Sequence, residues 1–170
     1  MPATRPELTG QVATWLHTAL MTERHYLKEW SPALGRDMEL LVFGHTGLPL
    51  LVFPTSMGRF YQWEDFGMVD ALRDKIDAGF IRLFCVDSVD EESWYATWKQ
   101  PPDRVRRHLE YESYLADELI PGLPEPPVGI GTSFGALHAL LLAVRRPWAV
   151  RGFIGMSGAY ETKRYRSTSE

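Results

Sequence analysis

Apolar runs separated by short polar stretches recur along the chain from about residue 21 onward. The most uniform run covers residues 50–53, and further strand-like runs cover 24–30, 38–44, 80–86, 128–130 and 152–156. A strand that is apolar at every position is buried on both faces. The pattern therefore predicts a sheet that is covered by helices on both sides.

Helical periodicity fills the intervals between these strands. Residues 63–76 are predicted to form one helix with Val69, Leu72 and Ile76 on one side, closed by Gly79. A second helix begins at 101–103 and carries Val105, Leu109, Leu115 and Leu119, and a third covers 134–145. A strand meander followed by alternating helices and strands predicts an α/β domain with a largely parallel sheet.

Three segments follow from this pattern. Residues 1–20 form an N-terminal extension whose apolar spacing is compatible with a short helix or a loose extension, residues 21–160 form the α/β core, and residues 161–170 form a polar tail without a strand pattern. Either Met1 or Met21 is compatible with being the natural start of the domain.

The composition argues against nucleic-acid binding and membrane binding. With 45% hydrophobic residues, 24% charged residues and a net charge of -4, the sequence shows neither the basic surplus expected of nucleic-acid binding nor a membrane-binding face. No apolar run approaches the roughly 18 residues needed to span a bilayer, and no signal peptide is evident, so we expect a cytoplasmic protein. The single cysteine, Cys85, is expected to be a buried structural thiol.

The stretch from Gly131 to Gly135 carries the candidate chemistry. It reads Gly-Thr-Ser-Phe-Gly between a short strand and a helix, which is the G-x-S-x-G pattern of a nucleophile elbow centred on Ser133. Side chains at Gly131 and Gly135 would collide with neighbouring backbone in so sharp a turn. The alternative is an ordinary glycine-rich turn, because the pattern alone is short.

Several motifs in order resemble a known family. They are residues 52–61, 84–88 with 93–95, 107–111 and 131–135. From about Tyr26 to Tyr160 the chain resembles the esterase family of the α/β-hydrolase superfamily, which includes esterase D-like and mycolyltransferase-like proteins. The resemblance implies a sheet ordered 1-2-4-3-5-6, with strand 1 antiparallel at one edge.

The resemblance also implies roles for site residues. Ser133 would be the nucleophile, and the backbone N–H groups of Phe134 and Met57 would bind the oxyanion. Gly58 would let the backbone approach the substrate. The alternative for the loop at 54–59 is a plain strand-to-helix turn.

One departure from the family concerns activation of the serine. In this fold the triad acid follows strand 7 and the base follows strand 8, whereas this sequence ends at Glu170, shortly after strand 6. The expected fold is therefore an α/β-hydrolase sheet of strands 1–6, truncated before strands 7 and 8. An edge left open at strand 6 would favour self-association or pairing with another chain.

None of the histidines is a good substitute base. His138 lies five residues past Ser133 on the same helix, roughly 7–8 Å along its axis, and is interpreted as a packing residue. His108 is expected on a solvated or ion-paired face amid Arg106, Arg107 and Glu110, and His45 at the opposite end of the sheet. His25 is placed on the edge strand and His17 in the extension.

Asp87, Trp94 and Tyr95 are the remaining candidates near the site. Asp87 ends strand 4 at the sheet edge that carries Ser133, where it would line the pocket or orient Arg107; as triad acid it would precede the serine, contrary to the usual order. Trp94 and Tyr95 form either a pocket wall or part of the core. No residue set has metal-ligand spacing, and we expect no cofactor.

These observations predict a serine esterase that hydrolyses small-molecule carboxylic esters through an acyl-enzyme on Ser133, inactive or impaired as this isolated chain. Two alternatives stay open. One is a non-catalytic hydrolase fragment that acts only through protein association, and the other is an acyltransferase, in which an alcohol replaces water.

Overall fold

The computed structural model describes residues 24–162. The predicted extension at 1–20, with His17, and the tail beyond residue 162 lie outside the described residues. No helix within 24–162 combines the length and apolar character that crossing a membrane requires.

Six strands form one sheet within residues 24–162. They are β1 (Arg24–Ser31), β2 (Arg36–Phe43), β3 (Leu48–Phe53), β4 (Ile81–Val86), β5 (Val128–Thr132) and β6 (Gly152–Met156). Their order is β1-β2-β4-β3-β5-β6, as the resemblance implies. β1 pairs antiparallel with β2, and β2 with β4, while the pairs β4–β3, β3–β5 and β5–β6 are parallel.

The strand order brings two distant loops together. β3 lies between β4 and β5, with Val52 opposite Ile130 and Phe53 opposite Gly131. Because β3 and β5 are parallel neighbours, the loop that follows β3 and the turn that follows β5 leave the sheet at the same edge, side by side. This is the kind of crevice in which α/β proteins bind ligands.

The segment predicted as one helix over 63–76 is three short helices instead: α1 (Gln62–Asp65), α2 (Met68–Ala71) and α3 (Arg73–Asp77). Gly67, with φ of 73°, stands in the left-handed region between α1 and α2 and interrupts the helix. Val69 and Ile76 still face the sheet and are buried, as predicted, because each short helix keeps the same side inward.

The two long helices cover the other face of the sheet. α4 (Pro101–Ser113) continues into a π-helical segment, Tyr114–Leu119, and a 3-10 turn, Ile120–Gly122, and α5 (Phe134–Arg145) follows β5. The predicted apolar face of α4 is only partly right. Leu115 is buried, but Val105 is 54% exposed, and the buried positions of α4 are Arg104, His108, Tyr111 and Glu112.

The core consists of one apolar cluster on each face of the sheet. Phe53, Phe84 and Leu142 belong to the cluster beneath α4 and α5, and Trp63 and Cys85 to the cluster beneath the short helices. Cys85 is buried as predicted, and burial raises the pKa of its thiol, so it stays protonated.

Candidate active site

The turn between β5 and α5 has the geometry that its glycines predict. A Cβ on Gly131 would lie 2.3 Å from the carbonyl carbon and oxygen of Gly135. A Cβ on Gly135 would lie 2.4 Å from the carbonyl oxygen of Pro54 and 2.6 Å from that of Phe53. The predicted collisions are therefore confirmed, and both positions need glycine because backbone meets backbone there.

Ser133 itself is held in a strained conformation. Its φ of 56° and ψ of -118° are rare for a residue with a Cβ. The Ser133 N–H donates to Met156 O at 3.0 Å, and the Ala159 N–H donates to Ser133 O at 3.0 Å. Within residues 24–162 the Ser133 Oγ makes no hydrogen bond, and the residue is partly exposed, so the hydroxyl is accessible at the edge of the sheet.

Phe134, the first residue of α5, is fully buried. It lies beneath Trp94 and Tyr95, for which the sequence predicted either a pocket wall or core packing. Both aromatic rings meet the Phe134 ring edge-on at 5.8 Å between centroids. Both rings pack against the start of α5, and Trp94 also lines a cavity between α4 and α5. They fix the helix whose N-terminal N–H groups lie nearest to Ser133.

The loop at 54–59 forms a tight turn. The Gly58 N–H donates to Thr55 O at 2.9 Å, and Met57 adopts a left-handed φ of 58°. A Cβ on Gly58 would lie 2.7 Å from Gln62 Oε1, whose oxygen also accepts a hydrogen bond from the Thr55 N–H. Gly58 is buried, and packing against Gln62 and Pro54 leaves no room for a side chain at this position; the approach of its backbone to a substrate stays a prediction.

A residue that the sequence analysis did not single out connects this loop to α5. The Met57 N–H, predicted to bind an oxyanion, donates to Asp90 Oδ2 at 3.1 Å. The other carboxylate oxygen of Asp90 lies 2.8 Å from His138 Nε2. The neighbouring N–H in the turn, that of Ser56, makes no hydrogen bond within the described range. In the sequence, the acidic stretch 87–92 directly after β4 is the feature that could have pointed to Asp90.

His138 is enclosed by aromatic rings, in agreement with its interpretation as a packing residue. Its ring stacks on Phe53 at 6.0 Å and meets Phe134 edge-on at 5.0 Å. Its Nδ1 is buried and makes no hydrogen bond within residues 24–162. Since Nε2 is engaged by Asp90, His138 does not contact the Ser133 hydroxyl.

His108 is in a different environment from the one predicted. It is buried rather than solvated, and its close acidic partner is Glu112, 3.1 Å from Nε2, not Glu110. The Trp94 Nε1–H donates to His108 Nδ1 at 3.2 Å, which places the proton of the neutral ring on Nε2, facing Glu112. Burial lowers the pKa of His108, and the nearby His138 lowers it further, against the opposing effect of Glu112.

Asp87 follows β4 at the predicted edge of the sheet, but its partner differs from the prediction. The Arg59 Nε–H donates to both Asp87 carboxylate oxygens, at 2.8 and 3.1 Å. Arg107, the predicted partner, instead pairs with Glu92 and Glu110. Burial raises the pKa of Asp87, although Arg59 opposes the shift. Asp87 therefore anchors the end of the loop at 54–59.

His45 and His25 lie away from Ser133. His45 is exposed in the loop before β3, at the end of the sheet opposite the β5–α5 turn, as predicted, and His25 lies on β1. Among the described residues, no group of three His, Cys, Asp or Glu side chains is arranged to hold a metal ion.

A cavity of about 310 Å³ lies between α4 and α5, away from the β5–α5 turn. Trp94, Val105, Leu109 and Leu141 give it an apolar lining, and neither Ser133 nor Met57 contributes to it.

Solved structures share this fold. An S-formylglutathione hydrolase, FrmB, from Staphylococcus aureus superposes with a TM-score of 0.59 at 14% identity, over 84% of this chain and 61% of that one. MPT51 from Mycobacterium tuberculosis superposes with a TM-score of 0.61 at 19% identity, over 81% of this chain and 51% of that one. FphF, a fluorophosphonate-binding serine hydrolase of S. aureus, superposes with a TM-score of 0.60 at 15% identity, over 83% of this chain and 59% of that one.

The chain thus spans 51–61% of the length of these three structures. No protein-family model matches the sequence, and a search of curated proteins finds no match either. Strand order, the β5–α5 turn and the structural likeness agree with one another, and the chain has the α/β-hydrolase fold.

Proposed function

We propose that Ser133 is the nucleophile of a serine esterase centre. The observation that carries the proposal is the position of its hydroxyl: on a strained turn at the carboxyl end of β5, without a hydrogen bond within the described residues, beside the first turn of α5. A side chain that only capped α5 would bond to the N–H groups of that turn, and Ser133 makes no such cap.

The proposed reaction follows from this placement. Ser133 Oγ attacks the carbonyl carbon of an ester and loses its proton to a base, giving a tetrahedral intermediate. The Phe134 N–H and an N–H of the loop at 54–59 stabilise the oxyanion. The alcohol leaves with a proton, and water then hydrolyses the acyl-enzyme, so that carboxylic acid and free serine are recovered.

The loop donor is the less defined part of the proposed oxyanion hole. Met57 N–H remains the proposed donor, and to serve it must be released by, or shared with, the Asp90 carboxylate. Ser56 N–H, in the same turn, is the alternative that needs no such release. Both are main-chain groups of one short turn, so the loop contributes to the oxyanion hole in either case.

Activation of Ser133 needs a base that residues 24–162 do not place against its hydroxyl. The nearest histidine in the sequence, His138, is engaged by Asp90. Without a base, serine keeps the pKa of an alcohol and is a weak nucleophile. We therefore propose that the full centre takes its acid and base from further segments of the fold, and that this chain alone is inactive or impaired.

A fluorophosphonate probe tests the proposal directly, because its rate of reaction with a serine hydroxyl follows the nucleophilicity of that hydroxyl, so that an impaired centre is labelled slowly. We expect labelling of the chain, weak but measurable by mass spectrometry, that is lost in Ser133→Ala. Ser157→Ala is the matched control, since Ser157 is exposed and, like Ser133, has a positive φ, of 48°. Absence of label on Ser133 after prolonged exposure to excess probe would rule out activity of this chain.

A second candidate function is association with a second copy along β6. Among the described residues β6 is the edge strand of the sheet, its residues Phe153 and Ile154 are 40% and 47% exposed, and it contains neither a charged residue nor a proline. Such an edge has unpaired N–H and C=O groups and none of the features that usually block pairing. Antiparallel pairing of two β6 strands would satisfy both edges with two-fold symmetry.

Light scattering after size-exclusion chromatography measures this association. We expect a dimer, converted to monomer by Ile154→Lys, because a charge on the edge strand disfavours pairing. Val144→Lys, on the exposed side of α5, is the control and should leave the dimer intact. A monomeric parent chain at high concentration would contradict the association.

A further inference from the structure

We propose that Asp90 is a positioning residue that ties the loop at 54–59 to helix α5 and so sets the spacing between the two halves of the oxyanion hole. The inference rests on the proposed function, because it assigns a role within the same centre. It adds a residue that neither contacts the substrate nor belongs to the triad, and that acts through Met57 and His138.

Asp90 is buried and connects two separate parts of the protein. It is 1% exposed, and each of its two carboxylate oxygens has its own partner: His138 Nε2 at 2.8 Å and the Met57 N–H at 3.1 Å. A buried carboxylate without partners would be costly, so both contacts are expected to persist together. No other side chain of the described residues links this loop to α5 in the same way.

The contact with Met57 controls a specific peptide group. Residues 55–58 form a turn closed by Gly58 N–H and Thr55 O, and of its central residues only Met57 has a positive φ. This is a type II turn, which normally places glycine or asparagine at that position. Rotation of the Ser56–Met57 peptide would give a type I turn and relieve the strain. The Asp90 carboxylate opposes that rotation because it holds the Met57 N–H inward.

The contact with His138 fixes the other end of the bridge. His138 lies on α5, the helix that begins with Phe134, and is packed among Phe53, Tyr111 and Phe134. A carboxylate anchored to this ring cannot shift without moving the helix. The Ser56 N–H, which is the loop donor that needs no release while Met57 is bound to Asp90, and the Phe134 N–H are therefore held at a distance that Asp90 determines.

The chain offers a matched control for this role. Glu112 is also 1% exposed and also faces a buried histidine, His108, at 3.1 Å. It pairs with Arg145 on α5 but has no contact with the loop at 54–59. Replacing Glu112 thus removes an equivalent buried carboxylate without touching the proposed bridge.

The experiment compares Asp90→Ala, His138→Leu and Glu112→Ala with the parent chain by two measurements. The first is the amide NMR signal of Met57, which a carboxylate acceptor shifts downfield. The second is the rate of Ser133 labelling by a fluorophosphonate, separated into binding and inactivation steps. A misplaced oxyanion donor slows the chemical step, by about 10- to 100-fold, and leaves probe binding unchanged.

We expect the Met57 signal to move upfield in Asp90→Ala and the inactivation step to slow by that factor, with a smaller change in His138→Leu and none in Glu112→Ala. A folded Asp90→Ala variant with parent-like signal and rate would overturn the proposal, as would an equal loss in Glu112→Ala. If Asp90→Ala does not fold, Asp90→Asn, which keeps only one acceptor oxygen, is held to the same criteria. If the parent is never labelled, the proposed function fails for this chain, and the Met57 signal alone decides whether Asp90 anchors the loop.

Discussion

The carbonyl oxygen of Pro54 lies 2.4 Å from the position that a Cβ on Gly135 would occupy. The loop after β3 and the first turn of α5 therefore pack backbone against backbone, with no side chain between them. This contact brings the loop's N–H groups close to Ser133, and it explains why the second glycine of the motif is needed by the neighbouring loop as well as by the turn.

Gly135→Ala should destabilise the fold and disrupt the site together. The added methyl group meets two main-chain oxygens, which cannot move as a flexible side chain could, so we expect a loss of about 3 kcal/mol in the free energy of unfolding, at the upper end for overpacking. Gly129→Ala is the control, since its Cβ would meet Ala139 and Phe53 at ordinary distances of 3.4 to 3.6 Å. Urea unfolding of both variants measures the difference; equal stability would contradict the packing argument.

Ser133→Gly should be more stable than Ser133→Ala. A residue with a Cβ at φ of 56° is strained by roughly 1 kcal/mol, which glycine avoids. Part of this gain is offset because glycine also gives the unfolded chain more freedom. We expect thermal unfolding to rank the glycine variant above the alanine variant, with neither labelled by a fluorophosphonate. The reverse ranking would show that the turn is not strained at Ser133.

Arg82→Met should stabilise the protein. Arg82 is 2% exposed on β4, and within residues 24–162 its Nε and Nη2 are buried without hydrogen-bond partners. Its guanidinium lies over the Phe84 ring at 5.0 Å, which offsets only part of the cost. Because burial also lowers the pKa of Arg82, the charged form is disfavoured where it stands.

We expect the free energy of unfolding of Arg82→Met to rise by about 1–2 kcal/mol, since an unsatisfied buried donor costs about 1–3 kcal/mol. Arg106→Met, at a position with a 66% exposed side chain, is the control and should change stability little. A loss of stability in Arg82→Met would show that the buried cation contributes favourably.

His108 should make the protein less stable in mild acid. Burial lowers the pKa of His108 below its ordinary value of 6.5, so between the two pKa values the unfolded chain binds a proton that the folded chain does not. The free energy of unfolding then falls as pH drops through 6.5, until the folded histidine also titrates. Glu112, Trp94 and His138 surround the ring and set the size of the effect.

His108→Gln should flatten this dependence by up to about 1.4 kcal/mol per pH unit, the value for one proton. Glutamine can still accept from Trp94, so packing is largely kept. His45→Gln, in an exposed loop, is the control for removing a histidine. Urea unfolding at several pH values between 5 and 7.5 gives the slopes, and an unchanged slope in His108→Gln would contradict the prediction.

The sequence predicts those parts of the fold that depend on local patterns of residues. Uniform apolar runs identify the strands, and the spacing of Gly131, Ser133 and Gly135 identifies the strained turn. The helix predicted over 63–76 was wrong because its apolar spacing was given more weight than Gly67, which interrupts the helix. A glycine within a helical pattern was thus the stronger signal.

The buried polar residues were harder to predict because their partners are distant in the chain. Asp90 and His138 are 48 positions apart, and no pattern around either one points to the other. His108 was placed on the wrong face because Arg106 and Arg107 precede it. Its spacing with Arg104, Tyr111 and Leu115, all buried, is the helical repeat that would have revealed the inward face.

The main-chain hydrogen bonds of Ser133 have a consequence for biosynthesis. Its N–H and C=O bind Met156 and Ala159, residues that leave the ribosome only after the whole of α5. Until then nothing in β6 holds the turn, and the nascent chain is free to leave Ser133 in a relaxed conformation. The strained conformation of Ser133 is therefore acquired late, once the chain has grown past Ala159, and a nascent chain released before that point would contain the motif without this conformation.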